Sequence, residues 1–129
     1  MLLIKKRLFD DIKLLGRWGE KRCEKFLKRK GLHLLARNYL CPAGEIDLIM
    51  VDTDSSIVFV EIKTRTSEEF TPAETVVTYT KQQKLSKTAR YFLADYDIKN
   101  RPYRFDIVTI LLDPSGREHI SHYPNAFIP

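Results

Sequence analysis

Four charged side chains, Glu45, Asp47, Glu61 and Lys63, sit inside two runs otherwise built mainly from Ile, Leu, Val, Met and Phe. Burying an unpaired carboxylate costs several kcal/mol, so acids on apolar strands require a partner, a metal or water. Hard carboxylate oxygens suit Mg²⁺ or Mn²⁺, which bind through one or two acids, several waters and phosphate oxygens. A cation held that way polarises a phosphodiester and lowers the pKa of a bound water. Lys63, one same-face step beyond Glu61, could orient or help deprotonate the attacking water, or stabilise the charge on the phosphate. Taken alone, Glu61-Ile-Lys63 reads first as a surface ion pair worth little. The preceding run Gly44-Glu-Ile-Asp47 moves the balance towards chemistry.

Positioning these groups takes a β-hairpin. Residues 45–52 and 57–63 are rich in β-branched and aromatic residues, and the turn formers Asp52 to Ser56 separate them. Ile57-Val-Phe-Val is apolar without alternation, as expected of a central strand covered on both faces. Alternation puts Glu45 with Asp47 and Glu61 with Lys63. A loop centred on Asp54 sets Asp47 opposite Glu61 and Glu45 opposite Lys63, whereas a half-residue shift sends the pairs to opposite faces. The first register is preferred because it gathers all four charges. Directly opposed residues have Cβ atoms roughly 4.5–5.5 Å apart, near enough for two acids to share one divalent cation.

A D…(D/E)-x-K pattern across adjacent strands resembles the catalytic motif of the restriction-endonuclease-like, or PD-(D/E)xK, superfamily. Four segments together resemble, more narrowly, its small bacterial YraN-like family: Gly16-Arg-Trp-Gly-Glu20, Arg37-Asn38-Tyr39, Gly44-Glu-Ile-Asp-Leu-Ile49 and Phe59-Val-Glu-Ile-Lys-Thr-Arg65. The resemblance spans about Leu15 to Asp106 and implies an α/β fold, an αβββαβ core with a mixed sheet flanked by helices. It implies Asp47 and Glu61 as metal ligands and Lys63 as the catalytic lysine. Glu20 matches a helix-borne acid of resolvase-like nucleases, and those relatives work as dimers, which suggests a homodimer. Gly44-Glu45-Ile46 departs from the wider superfamily, where a proline precedes the Asp.

The flanking segments are read as follows. Residues 1–12 are an apolar-basic arm or the lead-in to a helix. The pattern over about 13–30 is helical, with Leu15, Trp18, the Arg22 stem, Cys23 and Phe26 on one side and Gly31 just past the end. At about 100° per residue, Glu20 lies at the margin of that face and can reach a cleft edge or pair with a lysine. Lys21, Lys25, Lys28 and Arg29 form a solvated face open to phosphate. Residues 32–40 read as a first strand, with Asn38 satisfying a turn. Thr64 to Thr71 reads as a loop beside the metal, where Arg65 could hold a phosphate or an ion pair. Pro72 and Thr71 suit a short helix over 72–77. A longer helix over about 79–96 buries Leu85, Ala89, Phe92 and Tyr96. Lys81, at the edge of that stripe, and nearby Gln83 are candidate substrate contacts, as is Glu45. Tyr103 to Leu112 is a strand reached by a crossover and so parallel to the second hairpin strand. Asp106 within it reads as a hydrogen-bonded carboxylate. Residues 119–123 read as a short edge strand with His119 and His122 on its surface, and 124–129 as a tail docking Phe127.

The 129 residues suit one domain, and 43% hydrophobic with 30% charged content is that of a soluble globular protein. A net charge of +5 favours a polyanionic partner. Two cysteines cannot build a disulfide framework, and Cys23 falls on a buried face. The histidines lack zinc spacing. Met1-Leu-Leu-Ile, followed at once by Lys5-Lys6-Arg7, is too short for a signal peptide, and no run nears the ~20 apolar residues of a membrane span. A cytoplasmic protein is expected. Three functions follow: an Mg²⁺- or Mn²⁺-dependent endonuclease on nucleic acid, DNA first and branched or structured by resemblance; a nucleic-acid-binding module that does not cut; or a protein binding an acidic partner. In the first, Asp47, Glu61 and the Ile62 carbonyl hold the metal, Lys63 assists the water, and Glu20 takes a second ion or orients water.

Overall fold

The computed structural model describes residues 3–66 and 77–129. The order is α1 (Leu3–Asp10), α2 (Ile12–Arg29), β1 (His33–Cys41), β2 (Gly44–Val51), β3 (Ile57–Thr66), α3 (Tyr79–Asp95), β4 (Tyr103–Leu112) and β5 (Glu118–Phe127). Residues 1–12 thus carry a helix of their own. The predicted helix over 72–77, except Val77, and most of the loop beyond Thr66 lie outside the described residues.

The five strands lie in sequence order in one sheet. β1–β2, β2–β3 and β4–β5 are antiparallel, while β3 and β4 are parallel. The mixed α/β sheet expected from the crossover is therefore present. The hairpin pairs Leu48 with Val60 and Val51 with Ile57, which is the register centred on Asp54.

Helices cover both faces. Cys23 and Leu27 of α2 pack with Leu48, Met50, Val58, Val60, Val108 and Ile110 on one side. Leu85, Ala89 and Phe92 of α3 pack with Ile49, Ile57, Phe59, Phe105 and Ile107 on the other. This explains the unbroken apolar run of β3: Ile57, Val58, Phe59 and Val60 are each no more than 1% exposed.

The chain enters and leaves α2 by local chemistry. Asp11 caps its first turn by accepting from the Leu14 amide at 3.1 Å. At the other end, Gly31 has φ +97°, its amide donates to the Lys28 carbonyl, and the Leu32 amide donates to the Leu27 carbonyl. These two bonds, with Leu27 and Leu32 both buried, form a Schellman ending that only glycine meets without strain.

Several expectations need correction. The buried stripe of α2 is Leu15, Gly19, Cys23 and Leu27, with Trp18 and Phe26 only partly covered. Tyr96 is 59% exposed, because it follows the last turn of α3 and tilts against Phe92 instead of entering the core. β5 continues through Pro124 to Phe127, past a register shift opposite Phe105 and Ile107, so the expected tail is largely strand. Phe127 stacks on Phe105 at 4.7 Å between centroids, as expected of a docked residue. His122 is not a surface residue: its side chain is 5% exposed and bonds Asp106 at 2.7 Å.

Candidate functional site

The hairpin ladder stops at Leu48↔Val60, one pair short of Asp47 and Glu61. Both strands run on beyond it, β2 back to Gly44 and β3 forward to Thr66. Asp47 and Glu61 therefore flank a gap where the two strands are no longer bonded to each other. Glu45, Asp47, Glu61 and Lys81 line one cleft there, of about 350 Å³, under α3.

An irregularity aims Asp47. Ile46 packs in the same cluster as Ile49, three residues on, so strict alternation fails between them. Across the pair, Ala36 and Tyr39 likewise share a face, and Asn38 between them has φ +50°. The β1–β2 ladder links Arg37 with Leu48 and Tyr39 with Ile46, skipping Asn38 and Asp47. Asn is the side chain that best tolerates the left-handed region, so the kink is written into residue type. As a result Asp47 borders the α3-side cleft and also two depressions on the α2 side, in both of which Glu20 is a lining residue.

Glu20 reaches this point because α2 lies unusually close to β3. A Cβ placed on Gly19 would stand 1.9 Å from the Thr64 hydroxyl oxygen, so only glycine fits. Gly19 is thus the positioning residue for the acid that follows it, a role that the spacing of polar residues did not disclose.

The electrostatics are those of under-neutralised acids. Glu61 is held above its ordinary pKa by loss of water, offset in part by the Lys81 charge and raised further by Asp47. Glu20 is raised by burial first, then by Asp47 and Glu45. Glu45 is raised by loss of water and then by Asp47. One cation stands loosely beside them: Lys81 Nζ lies 3.7 Å from Glu61, beyond a good hydrogen bond. Lys63 also lowers the Glu61 pKa through its charge, which sets its ammonium in the same field.

The remaining candidates divide. Arg65 lines the α2-side depression with Glu20, Asp47, Ile62 and Thr64, and one guanidinium nitrogen donates to the Thr64 carbonyl at 2.9 Å. The Ile62 side chain packs in the α2-side core, leaving its backbone between Glu61 and Lys63. Gln83 is exposed and is not among the residues lining the cleft; two residues past Lys81, it lies about 200° round α3, away from the side that Lys81, Lys84 and Leu85 present. Lys84 and Thr88 join the cleft wall, a contribution that follows from α3 lying against β2. Among the described residues, no three His, Cys, Asp or Glu side chains are close enough together to hold a metal ion by themselves. Hard carboxylate oxygens on two strands, short of positive charge, nonetheless fit a cation bound through one or two acids and water.

Asp106, the other acid of the sheet interior, has no part in this site. It is 1% exposed and accepts from His122, from the Arg104 guanidinium and from the Asn125 amide. Among the described residues no helix is long and apolar enough to cross a membrane.

The chain is similar to known proteins over most of its length. A UPF0102 protein of Pelotomaculum thermopropionicum is 39% identical over 92% of this chain and 98% of its own. One from Nocardia farcinica is 41% identical, covering 91% of each chain. A solved structure of SfsA from Pyrococcus furiosus in complex with Ca²⁺ overlays with a TM-score of 0.38 and 12% identity, over 88% of this chain and 64% of that one. The family model described as "Uncharacterised protein family UPF0102" matches residues 19–110, which take in Glu20, Asp47, Glu61 and Lys63, and the chain belongs to that family.

Proposed function

We propose that this protein is a metal-dependent endonuclease of the restriction-endonuclease-like superfamily that hydrolyses phosphodiester bonds of nucleic acid, DNA in the first instance. The observation that carries the reading is the position of Asp47. Its charge acts at once on Glu20 from α2, on Glu45 beside it and on Glu61 from the next strand. A protein that only gripped phosphate would gain nothing from acids that repel it.

Asp47 and Glu61, with the Ile62 carbonyl, would hold Mg²⁺ or Mn²⁺, which when bound supplies charge to the scissile phosphate and acidity to water. Lys63, whose charge already acts on Glu61, would steady the attacking water or the extra charge of the transition state. Glu20 approaches from the opposite side of the gap and orients water, or takes a second ion. Lys81 leaves Glu61 for a phosphate oxygen, an exchange that its 3.7 Å separation makes inexpensive. Purified protein is expected to nick supercoiled DNA with Mn²⁺, with the double variant Asp47→Ala/Glu61→Ala inactive. Equal nicking by that variant would overturn the assignment.

A second reading, binding without cutting, draws on the lack of a preformed three-acid set among the described residues. Salt-sensitive binding with no Mn²⁺-dependent turnover on flap, junction or single-stranded substrates would select it.

A further inference from the structure

Beside the acid site runs a groove of about 770 Å³ between α2 and β1, which ends at Asp47 and Glu20. One wall is a row of cations on α2, Arg17, Lys21, Lys25 and Lys28, spaced by four, four and three residues. Four residues of helix advance about 6 Å, a step that matches successive phosphates of an extended strand. Arg17, Lys21 and Lys25 are exposed. The far wall differs, because its cation is already satisfied. Arg37 donates two bonds to Glu24, at 2.6 and 2.9 Å, and Lys28 donates a third at 2.6 Å. Those partners pull the Glu24 carboxyl down to about 2, so it stays ionised and keeps Arg37 and Lys28 in place.

We infer that this groove binds the phosphate backbone of one unpaired nucleic-acid strand and leads it to Asp47. Lys21 and Lys25, which have no ion pair among the described residues, stand on one wall only, and a single file of such cations suits one backbone, whereas a duplex offers two. Apart from Leu48 the described residues lining the groove are polar and charged, with no aromatic ring among them for a base to stack upon, so recognition is of phosphate and indifferent to sequence. The inference rests on the nucleic-acid reading of the neighbouring acids.

The test is fluorescence anisotropy with a labelled twelve-nucleotide oligothymidylate in EDTA, across a salt series. Wild type is compared with Lys21→Gln/Lys25→Gln and with Lys87→Gln/Arg90→Gln on the exposed side of α3. Each phosphate contact contributes roughly 0.7 to the slope of log affinity against log salt for a single strand. The α2 variant is therefore expected to lose about 1.4 of that slope, with affinity reduced at least tenfold at low salt, while the α3 variant matches wild type. Thermal melting by circular dichroism identifies any variant that has lost its fold, in which case the single substitutions Lys21→Gln and Lys25→Gln replace it, each expected to lower the slope by about 0.7. An α2 variant that binds like wild type overturns the groove. So does equal loss in the α3 variant, tighter binding of a duplex of the same length that depends on Lys21 and Lys25, or a labelled polyglutamate that competes at equal charge. Because EDTA removes cleavage, failure here leaves Mn²⁺-dependent nicking standing, and a failed nicking assay leaves the groove standing.

Discussion

Two sets of carboxylates share this sheet and are treated in opposite ways. Asp106 on β4 is walled in by donors: Arg104 at 3.0 and 3.3 Å, His122 at 2.7 Å and the Asn125 amide at 2.9 Å. Arg104 also bridges to Asp52 at the hairpin turn, at 2.9 Å. Burial alone would raise the Asp106 pKa, yet the donors win and hold it below its ordinary value. Around Asp47 the sign is reversed, and Glu20, Glu45 and Glu61 all sit above theirs. Burial is therefore not what separates a structural acid from a candidate functional one. The supply of donors is.

The largest expected effect falls on the saturated cluster. Asp106→Ala strands Arg104 and His122 in the interior and should cost about 3–5 kcal/mol in urea unfolding. An unchanged midpoint would break the contrast at its root. At the other cluster, a cation should supply the missing charge. Mn²⁺ at a hundredfold over its Kd should stabilise wild type by about 2.7 kcal/mol, and leave Asp47→Asn/Glu61→Gln unmoved in thermal melts. Next in size, Gly19→Ala drives a methyl into Thr64 and should cost about 1–3 kcal/mol. It should also weaken Mn²⁺ binding seen calorimetrically, because α2 must retreat with Glu20; unaltered stability would show that the approach of α2 is not tight.

The smallest effect is the sharpest in sign. Glu61 is raised in the folded state, so the fold binds protons more tightly there and loses stability as pH climbs through and above the ordinary Glu value of 4.5. Glu61→Gln should thus gain on wild type by about 0.5 kcal/mol or more at pH 7 without metal, and the gain should shrink on acidification. Asp106 is lowered, so its contribution is complete above the ordinary Asp value of 3.8 and is lost as pH falls through the folded value. Asp106→Asn should trail wild type at pH 7 and converge with it towards pH 3. Parallel pH trends for the two variants in urea midpoints would refute the distinction.

Much of the fold was legible because its cues are local. β4 spans Tyr103–Leu112 as its β-branched run predicts, and the five turn formers from Asp52 to Ser56 allowed the register that the hairpin adopts. The same local rules misjudged β5, where Pro124 reads as a tail but sits in an edge strand that lacks a partner on one side and can spare an amide. They also misjudged His122, which packs against Phe26 of α2 and bonds Lys30 just past its end, some ninety residues earlier.

What the chain alone determined is the repertoire: which residues alternate, where the turns fall, and that acids occur in apolar strands. What tertiary structure decided is which acids find donors. Asp106 and Asp47 look alike in a strand, but the partners that neutralise the first arrive from β5 and the Arg104 bridge, while the second faces a gap where the ladder ends and α2 closes in through Gly19. Periodicity carries the direction of a side chain and nothing of what waits there, because the neutralising groups are assembled by packing: His122 and the Asn125 amide come across from β5, and Arg104 is held in place by its bridge to Asp52 on another strand's turn.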